Sequence, residues 1–98
     1  MTNAEKAHLS RLADLGCIAC LEAFGYASPA EIHHLRAGQG AGQRASHFDA
    51  IPLCPPHHRT GGHGVAIHAG RKTWEKTFGT ERELLAAVRR RLGIEVAA

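Results

Sequence analysis

The sequence of 98 residues is poor in large side chains and contains no long apolar segment. It has one Trp, one Tyr, three Phe and one Met, so aromatic residues make up only 5% of the chain. A small chain with so few large side chains to bury is expected to need a cross-link in addition to its hydrophobic core. No apolar segment approaches the ~20 residues that a transmembrane helix requires. The composition therefore argues against a membrane span and favours a small, cross-linked domain.

The first residues also lack the basic segment, apolar stretch and small-residue cleavage site of a secretory signal. We therefore expect a cytoplasmic protein with no membrane partner. Cysteine is scarce as well, and three Cys form an odd number, which disfavours a disulfide framework and favours thiolates that bind a metal. Twelve Lys and Arg against nine Asp and Glu give a net charge of +3, which is compatible with nucleic acid as a partner but does not demonstrate it.

The chain is short enough that we expect one domain over residues 1–98. Apolar periodicity and capping residues predict helices over 3–15, 69–78 and 80–92, the last one with a capping box that begins at Thr80. Weak alternation predicts two short strands over 30–36 and 48–53, joined by a glycine-rich loop. Residues 17–20 are expected to form a turn followed by irregular chain, and Pro55 and Pro56 to begin a further helix. The predicted fold class is α+β, a short hairpin with several helices.

Two pairs of potential zinc ligands share the same short spacing. Cys17 and Cys20 are separated by two residues, and Cys54 and His57 repeat that gap later in the chain. Zinc prefers a tetrahedral shell of thiolate and imidazole, so these four residues predict a structural Cys3His site that would cross-link the domain. The alternative is that the three Cys are simply buried, because free Cys is among the most buried residue types.

Histidine is unusually frequent, and seven of the eight lie within residues 33–68. His33 and His34 are adjacent, so on a strand they point to opposite sides, and one can bind a metal while the other faces a substrate. His58 follows His57 by about 100° on a helix and would face the hairpin. Either His63 or His68 could complete a second metal site. Two or three imidazoles with open coordination positions suit a hydrolytic metal centre.

These motifs resemble those of a known family. The motif C-x-x-C, followed by EIHHLR and then HFDAIPLCPPHHR, resembles the HNH endonucleases, which have a ββα-metal (His-Me finger) core. The longer segment is similar to the phage recombination-enhancement, RecA-dependent nucleases; it reads IHHLRAGQGAGQRASHFDAIPLCPPHHRTGGHGVAIHAGRKTWEKTFGT. The resemblance covers about residues 17–80, with 80–92 as a C-terminal helix. It implies one HNH nuclease domain.

Residue by residue, the resemblance implies that His33 binds the catalytic metal and that His34 is the general base. Asp49 stands where the family usually has Asn, which orients the base; an Asp can accept a hydrogen bond from imidazole but adds a charge. His58 matches a further metal ligand. The next ligand would usually stand at position 62, which is Gly, so His63 or His68 must replace it. His68 is favoured because relatives carry an Ile-His pair there.

The implied reaction is hydrolysis of a DNA phosphodiester bond, in phage or prophage recombination or DNA processing within a bacterial host cell. His34 would take a proton from water, and a divalent ion, Mg²⁺, Mn²⁺ or Zn²⁺, would stabilise the departing oxygen. The resemblance also implies a RecA filament as a partner. Basic residues that flank the site could bind DNA phosphates, or could equally be solvated surface charge; they are Arg36, Arg44, Arg59, Arg71 and Lys72.

Two other functions remain open at this point. A catalytically inactive, zinc-stapled nucleic-acid-binding module is compatible with Asp49 and with the displaced last metal ligand. A metal-storage or metal-sensing protein is compatible with clustered histidines, which also bind Ni²⁺ or Cu²⁺, but it leaves the ordered strand, loop, strand and helix unexplained.

Overall fold

The computed structural model describes residues 1–94, in which a two-stranded antiparallel sheet is surrounded by helices. The α-helices are α1 (Asn3–Leu15), α2 (Ile18–Phe24), α3 (Arg71–Phe78) and α4 (Glu81–Leu92), and the strands are β1 (Glu31–His34) and β2 (Ala50–Leu53). A π-helical turn (Pro56–Thr60) and a 3-10 turn (Ile67–Ala69) lie between β2 and α3. The predicted α+β class is confirmed.

The long terminal helices begin at the residues that their sequences predict. Thr2 caps α1 and Thr80 caps α4, and each cap is a complete capping box with the Glu three residues later. In α4, Oγ1 of Thr80 accepts from the Glu83 N–H at 3.1 Å and Oε1 of Glu83 accepts from the Thr80 N–H at 2.9 Å. Because these bonds satisfy N–H groups that a helix start leaves without intrahelical partners, both helix starts are fixed locally.

The segment after the first Cys differs from the prediction. Residues 18–24 form α2 rather than a turn and irregular chain, and Cys17 caps this helix with its sulfur, which accepts from the Cys20 N–H at 3.5 Å. Gly25, in the left-handed conformation (φ 78°), ends it. The C-x-x-C motif therefore lies at a helix N-terminus.

The helix expected after the two prolines is also different, because it is a single π-helical turn. The Gly61 N–H donates to the Pro56 carbonyl at 3.0 Å, a bond that spans five residues, and the chain then bends through Gly62. This short turn places His57 and His58 at its first two positions after Pro56. Consecutive residues on a helical turn point in different directions, so these two imidazoles can serve separate sites.

The sheet and helices enclose a small core. The strands pair antiparallel, with His33 opposite Ile51 and His34 opposite Ala50, and they are shorter than predicted because regular pairing covers only 31–34 and 50–53. Leu12 of α1 and Val88 of α4 are buried together with the sheet. Trp74 is fully buried, and its indole N–H donates to the Val65 carbonyl at 3.0 Å. Trp74 is therefore the largest side chain of the core.

No helix within residues 1–94 has the length and apolar character needed to cross a membrane.

Candidate metal centres and catalytic histidines

The four predicted zinc ligands come together in one cluster. Cys17 and Cys20 lie at the start of α2, Cys54 directly follows β2, and His57 lies in the π-helical turn. Nδ1 of His57 is 3.2 Å from Sγ of Cys54, 3.5 Å from Sγ of Cys20 and 3.7 Å from Sγ of Cys17. The sulfurs of Cys20 and Cys54 are 3.9 Å apart, too far for a disulfide bond.

These distances match a tetrahedral zinc site. Sulfur ligands at about 2.3 Å and nitrogen ligands at about 2.0–2.1 Å from zinc are separated from one another by roughly 3.5–3.8 Å in a tetrahedron. The observed separations of 3.2–3.9 Å fall around that range. The cluster can therefore hold a metal such as zinc with little rearrangement.

The surroundings of this Cys3His cluster also suit a bound cation. All three Cys are buried, and burial raises the pKa of the Cys17 thiol to about 12, so a nearby cation is needed to make its thiolate form accessible. Burial lowers the pKa of His57, which keeps the imidazole neutral and able to act as a ligand. The Ser28 hydroxyl donates to Sγ of Cys20 at 3.3 Å, as groups around a thiolate ligand often do.

A second cluster consists of His33, His58 and His68, and we call it the three-histidine cluster. Its members come from β1, the π-helical turn and the 3-10 turn, and one ring nitrogen from each lies within 4.8 Å of the others. Nε2 of His58 and Nε2 of His68 are 2.9 Å apart. Two ligands at about 2.1 Å from a metal and at a right angle would be roughly 3.0 Å apart, so this spacing suits adjacent ligand positions.

Of the two histidines that the sequence left as alternatives, His68 lies near His33 and His58. His68 joins the cluster, whereas Nδ1 of His63 lies 3.2 Å from the Ala69 carbonyl oxygen, and His63 is not a member. Burial, together with the neighbouring His58 and His33, lowers the pKa of His68. His68 is exposed, so this cluster is open to solvent on one side.

Two carboxylates hold the rings of this cluster from outside. Oε2 of Glu81 is 2.6 Å from Nε2 of His33, and Oε1 of Glu31 is 2.8 Å from Nδ1 of His58. A hydrogen bond from the ring N–H to a carboxylate fixes the orientation and tautomer of a histidine and is typical of metal-binding histidines. Bonds from Arg59 and then from His58 lower the pKa of Glu31 to about 2.

Glu81 is the functional candidate that the sequence analysis missed. Its side chain is fully buried at the first position of α4, and its carboxylate also accepts from the N–H groups of Arg36 and Ala37 at 2.8–3.1 Å. Burial opposes its ionisation, but the bonds from His33 and from these two N–H groups outweigh burial, so the pKa of Glu81 is lowered. In the sequence this residue is visible only as part of a helix start.

His34 lies on the opposite side of β1 and contacts a different histidine. Its Nε2 is 2.9 Å from Nδ1 of His47, and the two rings meet edge to face with centroids 5.0 Å apart. Burial first, and then His47, Arg44 and His33, lowers the pKa of His34, so the imidazole is neutral at pH 7. A half-buried neutral imidazole can accept a proton.

Asp49 does not hold His34 through its side chain. Its carboxylate is 3.3 Å from Nη2 of Arg89, and its main-chain oxygen accepts from the Leu35 N–H at 3.0 Å. Among the described residues, the side chain that contacts the ring of His34 is His47.

The basic residues predicted to bind DNA differ in their contacts within the protein. The guanidinium groups of Arg59 and Arg71 form ion pairs, Arg59 with Glu31 at 2.6 Å and Arg71 with Glu75 at 3.7 Å. Arg71 is also 3.8 Å from Glu81, and Arg36 donates to the Gln43 carbonyl at 3.3 Å. Arg44 and Lys72 are exposed. These contacts leave Arg44 and Lys72 as the candidates most accessible to an external phosphate.

Comparison with known proteins assigns the family. The family described as recombination enhancement, RecA-dependent nuclease matches residues 1–92, which is nearly the whole chain. No curated protein matches the chain. The matched range includes both clusters, His34 and Glu81. The chain therefore belongs to the recombination-enhancement, RecA-dependent nuclease family.

Proposed function

We propose that this protein is a metal-dependent HNH endonuclease that hydrolyses phosphodiester bonds of DNA. The observation that carries the proposal is the open three-histidine cluster, which shares the strand β1 with the neutral imidazole of His34. The β1–β2 hairpin and the helical turn after it would then be the core of a ββα-metal fold, centred on residues 17–80 of a single nuclease domain over 1–98.

His33, His58 and His68 would hold one divalent ion, Mg²⁺, Mn²⁺ or Zn²⁺. Bound there, such an ion supplies charge stabilisation for the oxygen that leaves phosphorus. Glu81 and Glu31 keep the rings of His33 and His58 in place through the hydrogen bonds described above. The Cys3His cluster would hold zinc as a structural site, because its four ligands close the shell and leave no position for a substrate.

His34 would act as the general base. If Nε2–H of His34 donates to Nδ1 of His47, the lone pair of Nδ1 of His34 is free to take the proton from the attacking water. Burial favours this neutral form and removes competing solvent from one side of the ring. We assign Asp49 a supporting role in this chemistry, through the main-chain bond from Leu35 that anchors the strand next to His34.

DNA and a RecA filament are the proposed partners, since the family is described as RecA-dependent. Arg44 and Lys72 are exposed and would contact phosphates directly, with contributions from Arg36, Arg59 and Arg71 where their intramolecular bonds allow. Binding through such contacts weakens as salt increases. The reaction would take place in the cytoplasm of a bacterial cell, where RecA filaments form on DNA.

Cleavage of supercoiled plasmid by the zinc-loaded protein tests the proposal. Mg²⁺, Mn²⁺ or Zn²⁺ is added in separate reactions, and RecA-coated single strands serve as a parallel substrate. We expect nicking that depends on added metal, and a loss of about 10²–10⁴-fold in His34→Ala, the range that a general base contributes. His63→Ala is the matched control, because it removes an imidazole that lies outside the cluster, and it should cleave at the normal rate.

The second candidate function is a catalytically inactive nucleic-acid-binding module with a structural zinc. The contact of Asp49 with Arg89, rather than with the ring of His34, favours it, because the orienting side chain that the family resemblance implies is engaged elsewhere. Folded, zinc-bound protein that binds DNA but cleaves neither substrate with any of the three metals would establish this alternative. Cleavage by His34→Ala at the normal rate would contradict only the assignment of the base.

A further inference from the structure

A cavity of about 370 Å³ lies between α1, the loop before β2 and the end of α4, on a part of the surface that neither metal cluster uses. His8 and Arg11 line it from α1, Phe48 from the loop and Arg89 from α4. Binding sites for small molecules span about 300–1,000 Å³, so the cavity is large enough for one compact ligand.

The cavity presents an aromatic surface to solvent. Phe48 is 42% exposed, although the protein has few aromatic residues available for its core. The ring of His8 lies beside it, with the centroids 5.1 Å apart and the planes at 45°. Exposed aromatic rings next to a polar ring provide a platform on which a flat heteroaromatic ligand can stack.

His8 also has an unsatisfied polar atom. Within residues 1–94, Nε2 of His8 is buried and has no hydrogen-bond partner. A buried nitrogen without a partner is costly, so a ligand that draws the His8 ring toward the cavity and supplies a donor or an acceptor would be stabilised. Burial, together with Arg11 and Arg89, lowers the pKa of His8, so its ring is neutral and suited to the edge of a nucleobase.

The charges around the cavity favour an anion. Arg11 donates to the Leu92 carbonyl at 2.9 Å and Arg89 donates to the Phe48 carbonyl at 3.4 Å, and each guanidinium has further N–H groups. The nearby carboxylate of Asp49 pairs with Arg89 and offsets one of the two positive charges. The remaining positive charge is complementary to a single phosphodiester group.

The loop before β2 also connects the cavity to the candidate catalytic site. Phe48 directly follows His47, whose Nδ1 is 2.9 Å from Nε2 of His34. On the other side, Asp49 connects Arg89 of the cavity to Leu35, the residue after His34. Residues 47–49 therefore link His34 to the aromatic surface of the cavity.

We propose that this cavity binds one nucleotide of the DNA substrate, with its base stacked on Phe48 beside the ring of His8, and with its phosphate at Arg11 and Arg89. The proposal rests on the proposed nuclease function for its biological role. Because a base within a duplex cannot reach such a cavity, the nucleotide is unpaired or turned out of the helix.

The direct test is a titration of the zinc-loaded full chain, followed by NMR signals from the rings of His8 and Phe48. The probes are the four deoxynucleoside 5′-monophosphates and, separately, inorganic phosphate. Saturable shifts of both rings with nucleotides, and much weaker shifts with phosphate, are expected. Equal responses to phosphate and nucleotides would indicate an anion site only, and the absence of a saturable shift would indicate an empty cavity; either result overturns the proposal.

Three variants test the contacts in binding to a labelled single-stranded oligonucleotide. Phe48→Leu keeps an apolar side chain but removes the stacking surface and should weaken binding by roughly 5- to 150-fold, the range for loss of one stacked base. Arg11→Gln should also weaken it and should flatten its salt dependence. Lys6→Gln removes a charge from the same helix without lining the cavity and should have little effect. Equal affinities for Phe48→Leu and the unaltered protein would contradict the stacking.

These experiments distinguish a failure of the proposed nucleotide site from a failure of the proposed nuclease function. If nucleotides shift His8 and Phe48 but no metal supports cleavage, the nuclease assignment fails and the nucleotide site stands. If plasmid is cleaved but the two rings do not respond and Phe48→Leu cleaves and binds normally, the nucleotide site fails and the nuclease assignment stands.

Discussion

The two clusters of this protein that could hold a metal differ in ligand chemistry and in access to solvent. The Cys3His cluster has four ligands, three of them buried sulfurs, whereas the three-histidine cluster has three imidazoles, one of which is exposed. Four ligands complete a tetrahedral zinc shell, while three imidazoles leave coordination positions for water or phosphate. The difference shows that one short helical turn supplies neighbouring histidines, His57 and His58, to two clusters of different ligand chemistry.

The clusters also differ in what surrounds the ligands. The rings of Phe24 and Phe78 flank His57, with centroids 6.3 and 4.7 Å away, and the Ser28 hydroxyl bonds to Cys20. In contrast, buried Glu81 and the ion-paired Glu31 hold the three-histidine cluster. Carboxylates increase the basicity of the imidazoles and add negative charge near a cation, whereas apolar rings exclude water. The first arrangement suits a metal that stabilises the fold, and the second suits a metal that takes part in a reaction.

Loss of a sulfur ligand should have the largest effect. Cys54→Ser is expected to abolish cooperative folding, because structural zinc contributes about 10–16 kcal/mol of apparent binding energy in small zinc domains. Circular dichroism during heating and the zinc content of the purified protein measure this change. His58→Ala is the control, because His58 neighbours His57 in the chain but belongs to the three-histidine cluster, and it should keep both the zinc and the cooperative transition. Unchanged melting of Cys54→Ser would show that the Cys3His cluster is not structural.

Removal of metal should separate the clusters by affinity. A weak chelator is expected to remove an ion from the exposed three-histidine cluster and stop plasmid cleavage, with no change in thermal stability. A strong chelator should also strip the buried cluster and lower the melting temperature. Metal analysis, cleavage and melting are measured on the same samples. Simultaneous loss of cleavage and of cooperative melting at every chelator concentration would show that the two sites do not behave independently.

The carboxylate beside His33 should matter more for activity than for folding. Glu81→Gln keeps the size of this buried side chain but removes its charge, and we expect metal affinity and cleavage to fall by about 10- to 100-fold, as for other residues that orient metal ligands. Metal titration and cleavage rates measure both effects. Glu83→Gln alters an exposed Glu in the same first turn of α4 and should leave metal affinity unchanged.

Either of two results would contradict this positioning role for Glu81. One is a normal metal affinity in Glu81→Gln, and the other is an equal loss in Glu83→Gln. A matching loss in both variants would attribute the effect to the start of α4 rather than to the bond between Glu81 and His33.

The two clusters also differ in how far they could be predicted from the sequence. The Cys3His ligands were identified from two short spacings in the sequence. Two ligands with two residues between them can bind the same metal whatever the rest of the fold does. Glu81 is 48 residues from His33 and His47 is 13 residues from His34, so both contacts depend on packing of α4 and of the loop before β2. Local patterns carry no signal for such contacts.

The two differences between the predicted and the observed helices have local causes. Helix α2 was missed because its cap is the sulfur of Cys17, whereas Ser, Thr, Asp and Asn are the recognised cap residues. The α-helix expected after Pro55 became a π-helical turn, since the chain leaves it at Gly61 and Gly62. Both helices with capping boxes were predicted to within a residue or two of their bounds.

The smallest effect is expected at Asp49, which stands where the resemblance to HNH enzymes implies an Asn. Its carboxylate pairs with Arg89 at 3.3 Å, and both side chains are about one-third exposed or less, so Asp49→Asn should cost only about 0–1 kcal/mol of stability. Plasmid cleavage should change by no more than a few-fold, because the ring of His34 contacts His47 and the main-chain bond from Leu35 to residue 49 does not depend on the side chain. Cleavage rates and melting temperatures of Asp49→Asn and His47→Ala, measured together, compare the two candidates for holding the base. A large loss in His47→Ala with a small change in Asp49→Asn would assign the orientation of His34 to His47, and the reverse order would return that role to position 49.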